Sequence, residues 1–204
     1  MKIIIINGYA GVGKDTFVDY CREVTNTGPF PYSTVYSSVV HNLSTISPIK
    51  ALAEEIGWDG GKTPKDRKFL SDLKDLLSKY NDYSFNKTIE NVGAVVRFFK
   101  IFIPHNFDKL TIFIHCREPE EIERFKKELD ARSLIVRRHS SEVVTQFNHA
   151  DNNVFDAVYD YTIFNEGSLD DLKESAKKFM EKINSEDWES HIDLEGKWNI
   201  TLTT

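Results

Sequence analysis

The first sixteen residues constrain this chain more than any other stretch. Lys2-Ile3-Ile4-Ile5-Ile6-Asn7 is a near-continuous apolar run, the pattern of a strand covered on both faces in a parallel sheet. It leads directly into Gly8-Tyr9-Ala10-Gly11-Val12-Gly13-Lys14-Asp15-Thr16, and a helical pattern follows from Asp15 to Val24. The spacing is G-x-x-x-x-G-K in its strand-before, helix-after context. A loop of this kind wraps a polyphosphate with backbone N–H groups, which demands glycine where φ is positive or the backbone approaches closely. Lys14 adds a mobile charge for the β/γ-phosphates, and the helix start aims its N–H groups at the same anion. Gly8, Gly11, Val12, Gly13, Lys14, Asp15 and Thr16 are therefore the candidate phosphate-binding set.

One position departs from the motif. The hydroxyl residue that normally follows the lysine and ligates Mg²⁺ is Asp15, with Thr16 behind it. Mg²⁺ prefers oxygen ligands and retains several waters, so Asp15 and Thr16 are the expected metal-side residues. A carboxylate beside phosphates also adds repulsion, which a metal ion would relieve.

Composition narrows the class. A chain of 204 residues with 40% hydrophobic and 28% charged residues suits one α/β domain with a proper core. A net charge of -6 argues against a protein that coats nucleic acid, so binding of a polyanion must rely on local clusters of arginine and lysine. The two cysteines, Cys21 and Cys116, are too few for a disulfide framework and read as buried thiols in a reducing compartment. The first strand is too short for a secretory segment, and no run approaches ~20 apolar residues. A cytoplasmic protein, monomeric or homodimeric and without membrane or nucleic-acid-polymer partners, is expected.

Further strands are predicted at 33–37, 111–116, 133–137 and 160–164. Helices are predicted from Ser47-Pro48 to Ile56, from Thr63-Pro64 through Tyr80, over 86–102, from Glu118-Pro119 to Leu129, and from Ser168 to about Ile183. The alternation implies βαβ units and a doubly wound, five-stranded, mainly parallel sheet, the architecture of a P-loop NTPase. The helical stretch from about 48 to 104 exceeds a plain crossover. It reads as an insertion over the carboxyl edge of the sheet, where ligands bind. The main domain is expected over 1–185, with a lid at about 137–155. Residues 186–204, carrying Trp188 and Trp198, read as a tail packed on the body.

Phosphoryl transfer needs positioning and positive charge. Arg67, in Lys65-Asp66-Arg67-Lys68, reads either as a ligand-facing residue of the insertion or as part of a solvated helix face. Arg97 carries the same two readings. Arg117 follows the third strand, at the ligand-binding edge. Arg137-Arg138 ends the fourth strand and opens the segment to Asp151, as a lid or as a structural pair. His115 is a core residue or a site residue, and His139 and His149 flank the lid. No histidine and cysteine set has zinc-ligand spacing, and no Gly-x-Ser-x-Gly is present.

Several of these segments, in order over most of residues 1–185, resemble the deoxynucleoside monophosphate kinases of phages and bacteria and the related phosphomevalonate kinases. The likeness lies in Gly13-Lys14-Asp15-Thr16, Arg67, Cys116-Arg117-Glu118-Pro119-Glu120-Glu121-Ile122, and Val136-Arg137-Arg138. It continues through His149-Ala150-Asp151 and the stretch Tyr159 to Leu169 with its Asn165-Glu166-Gly167. The resemblance implies an ATP site on Gly8 to Thr16 and an acceptor site at Arg67 and Arg117. It also implies a lid with Arg137 or Arg138, together with His149 and Asp151. Where the family's central strand ends in Asp-x-Arg, this chain has His115-Cys116-Arg117.

The expected function is thus a Mg²⁺/ATP-dependent kinase. It would transfer the γ-phosphoryl group to a small phosphorylated acceptor, a (deoxy)nucleoside monophosphate first. Lys14, Arg117, Arg137 and Arg138 are the candidate catalytic residues. The alternatives are a kinase for a phosphomevalonate or dephospho-coenzyme A type acceptor, and a nucleotide-binding regulatory protein without transfer.

Overall fold

Ile3, Ile4, Ile5 and Ile6 are buried on both faces because β1 (Lys2–Asn7) is the middle strand of a five-stranded sheet. The structure, a computed structural model, describes residues 1–25, 39–139 and 154–186. Along the chain, β1 is followed by α1 (Lys14–Thr25), β2 (Val40–Ser44), α2 (Ser47–Glu55), α3 (Pro64–Asn81) and α4 (Tyr83–Phe102). A 3₁₀ turn (Pro104–Lys109) leads to β3 (Thr111–His115), α5 (Pro119–Leu129), β4 (Arg132–Arg137), β5 (Tyr161–Phe164) and α6 (Leu169–Ser185). The strand order is β2-β3-β1-β4-β5, and all four pairings are parallel.

Side-chain alternation along β1 divides the core in two. Ile4 and Ile6 pack with Phe17 and Val18 of α1 and with Phe179 and Met180 of α6. Ile3 and Ile5 pack with Val92, Val96 and Phe99 of α4 and with Ile122 and Phe125 of α5. Burying such a side chain contributes about 1.5–3 kcal/mol, so the isoleucine run holds both helical layers to one strand. From β1 the chain passes to β2 and returns to β3 on one side, then crosses to β4 and β5 on the other. The carboxyl end of β1 lies where the winding reverses, the place where ligands bind in open α/β sheets.

The strand predicted at 33–37 lies outside the described residues, as do residues 140–153 of the predicted lid and 187–204 of the tail. The second strand of the sheet is Val40–Ser44. Its sequence, Val-His-Asn-Leu-Ser, carries only two apolar residues because it is an edge strand with β3 as its one partner. Helix α4 starts three residues earlier than predicted, and a single residue, Asp82 at φ 55°, turns the chain from α3 into α4.

The helices α2, α3 and α4 fill the span between β2 and β3, and α4 packs on the face of the sheet, Val92, Val96 and Phe99 against Ile3 and Ile5, rather than over its carboxyl edge. Thr63 and Asp66 form a capping box that starts α3. The base of the α3–α4 hairpin is fixed to the sheet: Ser84 Oγ donates to Thr45 O at 2.6 Å, just past the end of β2. Arg124 of α5 grips Asp82 with two hydrogen bonds of 3.0 and 3.2 Å and lies 4.0 Å from the centre of the Phe85 ring. Among the described residues no helix is long and apolar enough to cross a membrane.

Candidate functional site

The glycine loop joins the carboxyl end of β1 to the start of α1, between the ends of β3 and β4. It lies so close to its neighbours that two glycines have no substitute. Gly8 has φ 138°, and a Cβ there would stand 2.3 Å from the backbone oxygen of Val136 in β4. Gly13 has φ 92°, and a Cβ there would stand 2.6 Å from Asn165 Nδ2. That amide donates to Val12 O at 2.9 Å and is itself buried. The loop thus rests on β4 and on the residue after β5. Because a carbonyl oxygen in a strand cannot move aside, Gly8→Ala is expected to destabilise the protein by about 3 kcal/mol, roughly a 10 °C fall in Tm. Thermal unfolding within 2–3 °C of wild type, roughly 1 kcal/mol at this size, would show that the loop is not seated on β4.

Lys14 curls back over the loop, its Nζ donating to Gly8 O and Tyr9 O at 2.7 Å each. Two carbonyl oxygens hold the ammonium over the loop. Asp15 is 85% exposed at the start of α1, and its Oδ1 lies 3.6 Å from His115 Nε2 at the end of β3. Nε2 is buried and has no hydrogen-bond partner among the described residues. Burial lowers the His115 pKa to about 4; Asp15 opposes this, while Lys14 and Arg117 add to it. The imidazole is therefore neutral near pH 7. His115 belongs to the loop's surroundings rather than to the distant core, and it faces the acid that replaces the usual hydroxyl residue.

Arg117 lies two residues past the end of β3 and is half-buried. Its backbone oxygen accepts from Asn7 Nδ2 at 3.3 Å. Asn7 Nδ2 also donates to the Tyr159 hydroxyl at 2.7 Å, and its Oδ1 accepts from the Gly8 N–H at 2.7 Å. Tyr159 in turn donates to Val154 O at 2.6 Å. One amide at the end of β1 thus serves the loop, the Arg117 segment and the chain ahead of β5.

Arg67 is exposed in the first turns of α3, with its Nε donating to Lys62 O at 3.3 Å. Seven residues on, Lys74 reaches Glu121 in the first turn of α5, Nζ to Oε2 2.9 Å. A seven-residue step is about 10.5 Å and nearly two whole turns, so Arg67 and Lys74 share one face of α3. Arg97 lies elsewhere. Helix α4 begins at the carboxyl end of β2 and runs toward the amino edge, where Phe99 meets His41 near the start of β2. Thirteen residues from Ser84 carry Arg97 about 20 Å from the ligand edge, and it is exposed there. The cleft-facing reading of Arg97 is thereby corrected to a surface residue.

At the other side of the loop, the Arg137 guanidinium lies 4.6 Å from the Phe155 ring and 5.8 Å from the Phe164 ring. Phe155 is 46% and Phe164 56% exposed, and Phe155 meets Tyr9 of the loop edge-on at 5.5 Å. Arg138 is half-buried, and its charge helps lower the Glu166 pKa, behind the hydrogen bonds from His139. Glu166 accepts from the His139 N–H at 2.9 Å and contacts His139 Nδ1 at 2.6 Å. His149 and Asp151 lie outside the described residues.

Asn7 and the Lys74–Glu121 pair were not singled out from sequence, and Asn165 entered only through the family resemblance. Apart from Gly8 beside Asn7 and Cys116 near Glu121, the partners of their side chains are 47 to 153 residues away, and no spacing rule reports such contacts. No three His, Cys, Asp or Glu side chains converge as a metal cage among the described residues. Mg²⁺ needs no such cage, since it binds through one or two protein oxygens with phosphates and water. The open Asp15 carboxylate, with the Thr16 hydroxyl next to it in the chain, fits that requirement. No protein-family model matches this chain, and no curated protein matches it.

Proposed function

We propose that the chain is a P-loop phosphotransferase that binds Mg²⁺/ATP at Gly8 to Thr16 and passes the γ-phosphoryl group to a small phosphorylated acceptor, a (deoxy)nucleoside monophosphate. The observation that carries this reading is the glycine loop at the winding reversal, with Lys14 Nζ already held over it. Loop N–H groups and the start of α1 provide the donors that a polyphosphate requires. The exposed Phe155 and Phe164 rings with Arg137 between them offer a stacking surface beside that loop, which suits a nucleobase better than a bare polyphosphate.

In this reading Lys14 and the loop amides hold the β/γ-phosphates. Arg67 and Arg117 hold the acceptor phosphate, and Arg137 and Arg138 add positive charge near the transferred group. Asp15 and Thr16 would hold Mg²⁺, which when bound would supply charge neutralisation at the phosphates. Neutral His115 adds no charge beside Asp15, leaving the acid to meet the metal on its own.

The test is ADP release from ATP against a panel of acceptors: (deoxy)nucleoside monophosphates, phosphomevalonate and dephospho-coenzyme A. Release only with a nucleoside monophosphate supports the proposal, and release with one of the others moves the acceptor assignment. ATP-induced thermal stabilisation with no turnover for any acceptor would favour the regulatory nucleotide-binding reading. The metal assignment has its own check. Asp15→Ser is expected to retain ATP binding and to relax its dependence on Mg²⁺, because the repelling carboxylate is gone. Superimposable Mg²⁺ titrations of ATP binding in the two proteins would remove Asp15 from the metal site.

A further inference from the structure

Lys74 and Glu121 form an ion pair of 2.9 Å whose side chains are only 13% and 12% exposed, between α3 of the insertion and the first turn of α5. Burying two charges costs several kcal/mol unless both are well satisfied. The same Glu121 oxygen, Oε2, also faces the Cys116 thiol at 3.5 Å. Cys116 is fully buried, and burial first, with Glu121 next, raises its pKa well above the ordinary thiol range. It therefore stays a thiol and can donate. Burial acts against the Lys74 charge, but the attraction and hydrogen bond of Glu121, with smaller contributions from its surroundings, more than offset it and raise the Lys74 pKa.

Cys116 is the residue before Arg117, and the Arg117 carbonyl is tied on its other side to Asn7. The chain of contacts runs from Lys74 through Glu121 and Cys116 to the segment that carries Arg117. On α3 the same helix face carries Arg67 two turns from Lys74. Helix α3 otherwise packs mainly with α2 and α4, through Leu70 with Ile49 and Ala53 and through Phe69, Leu73 and Leu77. Those contacts are apolar and non-directional, and the directional ties at the hairpin base, Ser84 to Thr45 and Arg124 to Asp82, hold only the carboxyl end of α3. A hydrogen-bonded ion pair is directional.

We propose that Lys74 and Glu121 are positioning residues, a buried latch that sets α3 against the end of β3 and so fixes the spacing of Arg67 from Arg117. This rests on the reading of those arginines as the acceptor site. The latch touches neither phosphate; it acts through the two elements it joins.

The experiment compares Lys74→Met, Glu121→Gln and the double variant with wild type, by steady-state kinetics and by calorimetry with ATP. Misplacement of a binding group by about 1 Å costs up to ~10²-fold in rate, so each single variant is expected to raise the acceptor KM about 10-fold or more. ATP affinity should stay within about 2-fold, since the loop rests on β4 and Asn165 rather than on α3. The double variant should be no worse than the worse single, because the partners form one coupled unit. Additive losses, an unchanged acceptor KM, or a parallel fall in ATP affinity would each overturn the latch. Failure of the functional reading is separately visible as wild-type protein that turns over no acceptor. Amide exchange then reads the latch alone: faster exchange over residues 64–81 in Lys74→Met supports it, and unchanged exchange overturns it.

Discussion

Lys14→Ala is expected to weaken ATP binding at least 100-fold while the fold survives. In the proposed site the lysine would contribute a charge-assisted hydrogen bond to a phosphate, and losing it would cost about 3 kcal/mol, a factor of roughly 10² in affinity. The fold is expected to tolerate the change, since the hydrogen bonds to Gly8 O and Tyr9 O lie within the loop itself. Calorimetry should therefore show the loss in a protein whose unfolding temperature stays within a few degrees of wild type. A folded variant with undiminished ATP affinity would end the phosphate-loop reading and everything built upon it.

The second large effect concerns the arginines. Arg117→Ala and Arg67→Ala are each expected to lower kcat/KM for the acceptor by about 10²-fold, on the order of 3 kcal/mol, with ATP affinity nearly unchanged. A guanidinium binds phosphate through two parallel hydrogen bonds, and neither alanine nor water replaces that fork. The backbone of Arg117 is held by Asn7 at the loop's own edge. Arg67 depends on how α3 is seated. If Arg67→Ala is fully active while Arg117→Ala is impaired, the acceptor phosphate rests on the sheet side alone. Full activity in both removes the acceptor assignment.

What could be read from sequence follows from how local each signal is. The isoleucine run, the glycine spacing and the start of α1 are contiguous, and the structure has strand, loop and helix where they were expected. The starts of α3 and α6 were legible because Thr63 with Asp66, and Ser168 with Asp171, carry their capping partners within one turn. β2 was not legible. An edge strand with one neighbour needs little apolar surface, and Val40 and Leu43 among polar residues do not announce it. The two readings of Arg97 stayed open in the sequence for a related reason: helix periodicity gives the face of a residue but not which end of the helix meets the ligand edge. Asn7, Asn165 and Lys74 are polar residues whose roles depend on partners supplied by other elements.

In the phosphotransferase proposed above, the three contacts of Asn7 would couple the two ligands. A single amide suspends the first glycine of the loop on one atom and the Arg117 carbonyl on another. Whatever work one ligand does in shifting that amide, the other ligand finds already done or undone. Thermodynamic reciprocity then requires that donor and acceptor alter each other's affinity by one common factor. The size of that factor, read from ATP titrations with and without acceptor, measures how stiffly the two halves of the cleft are yoked.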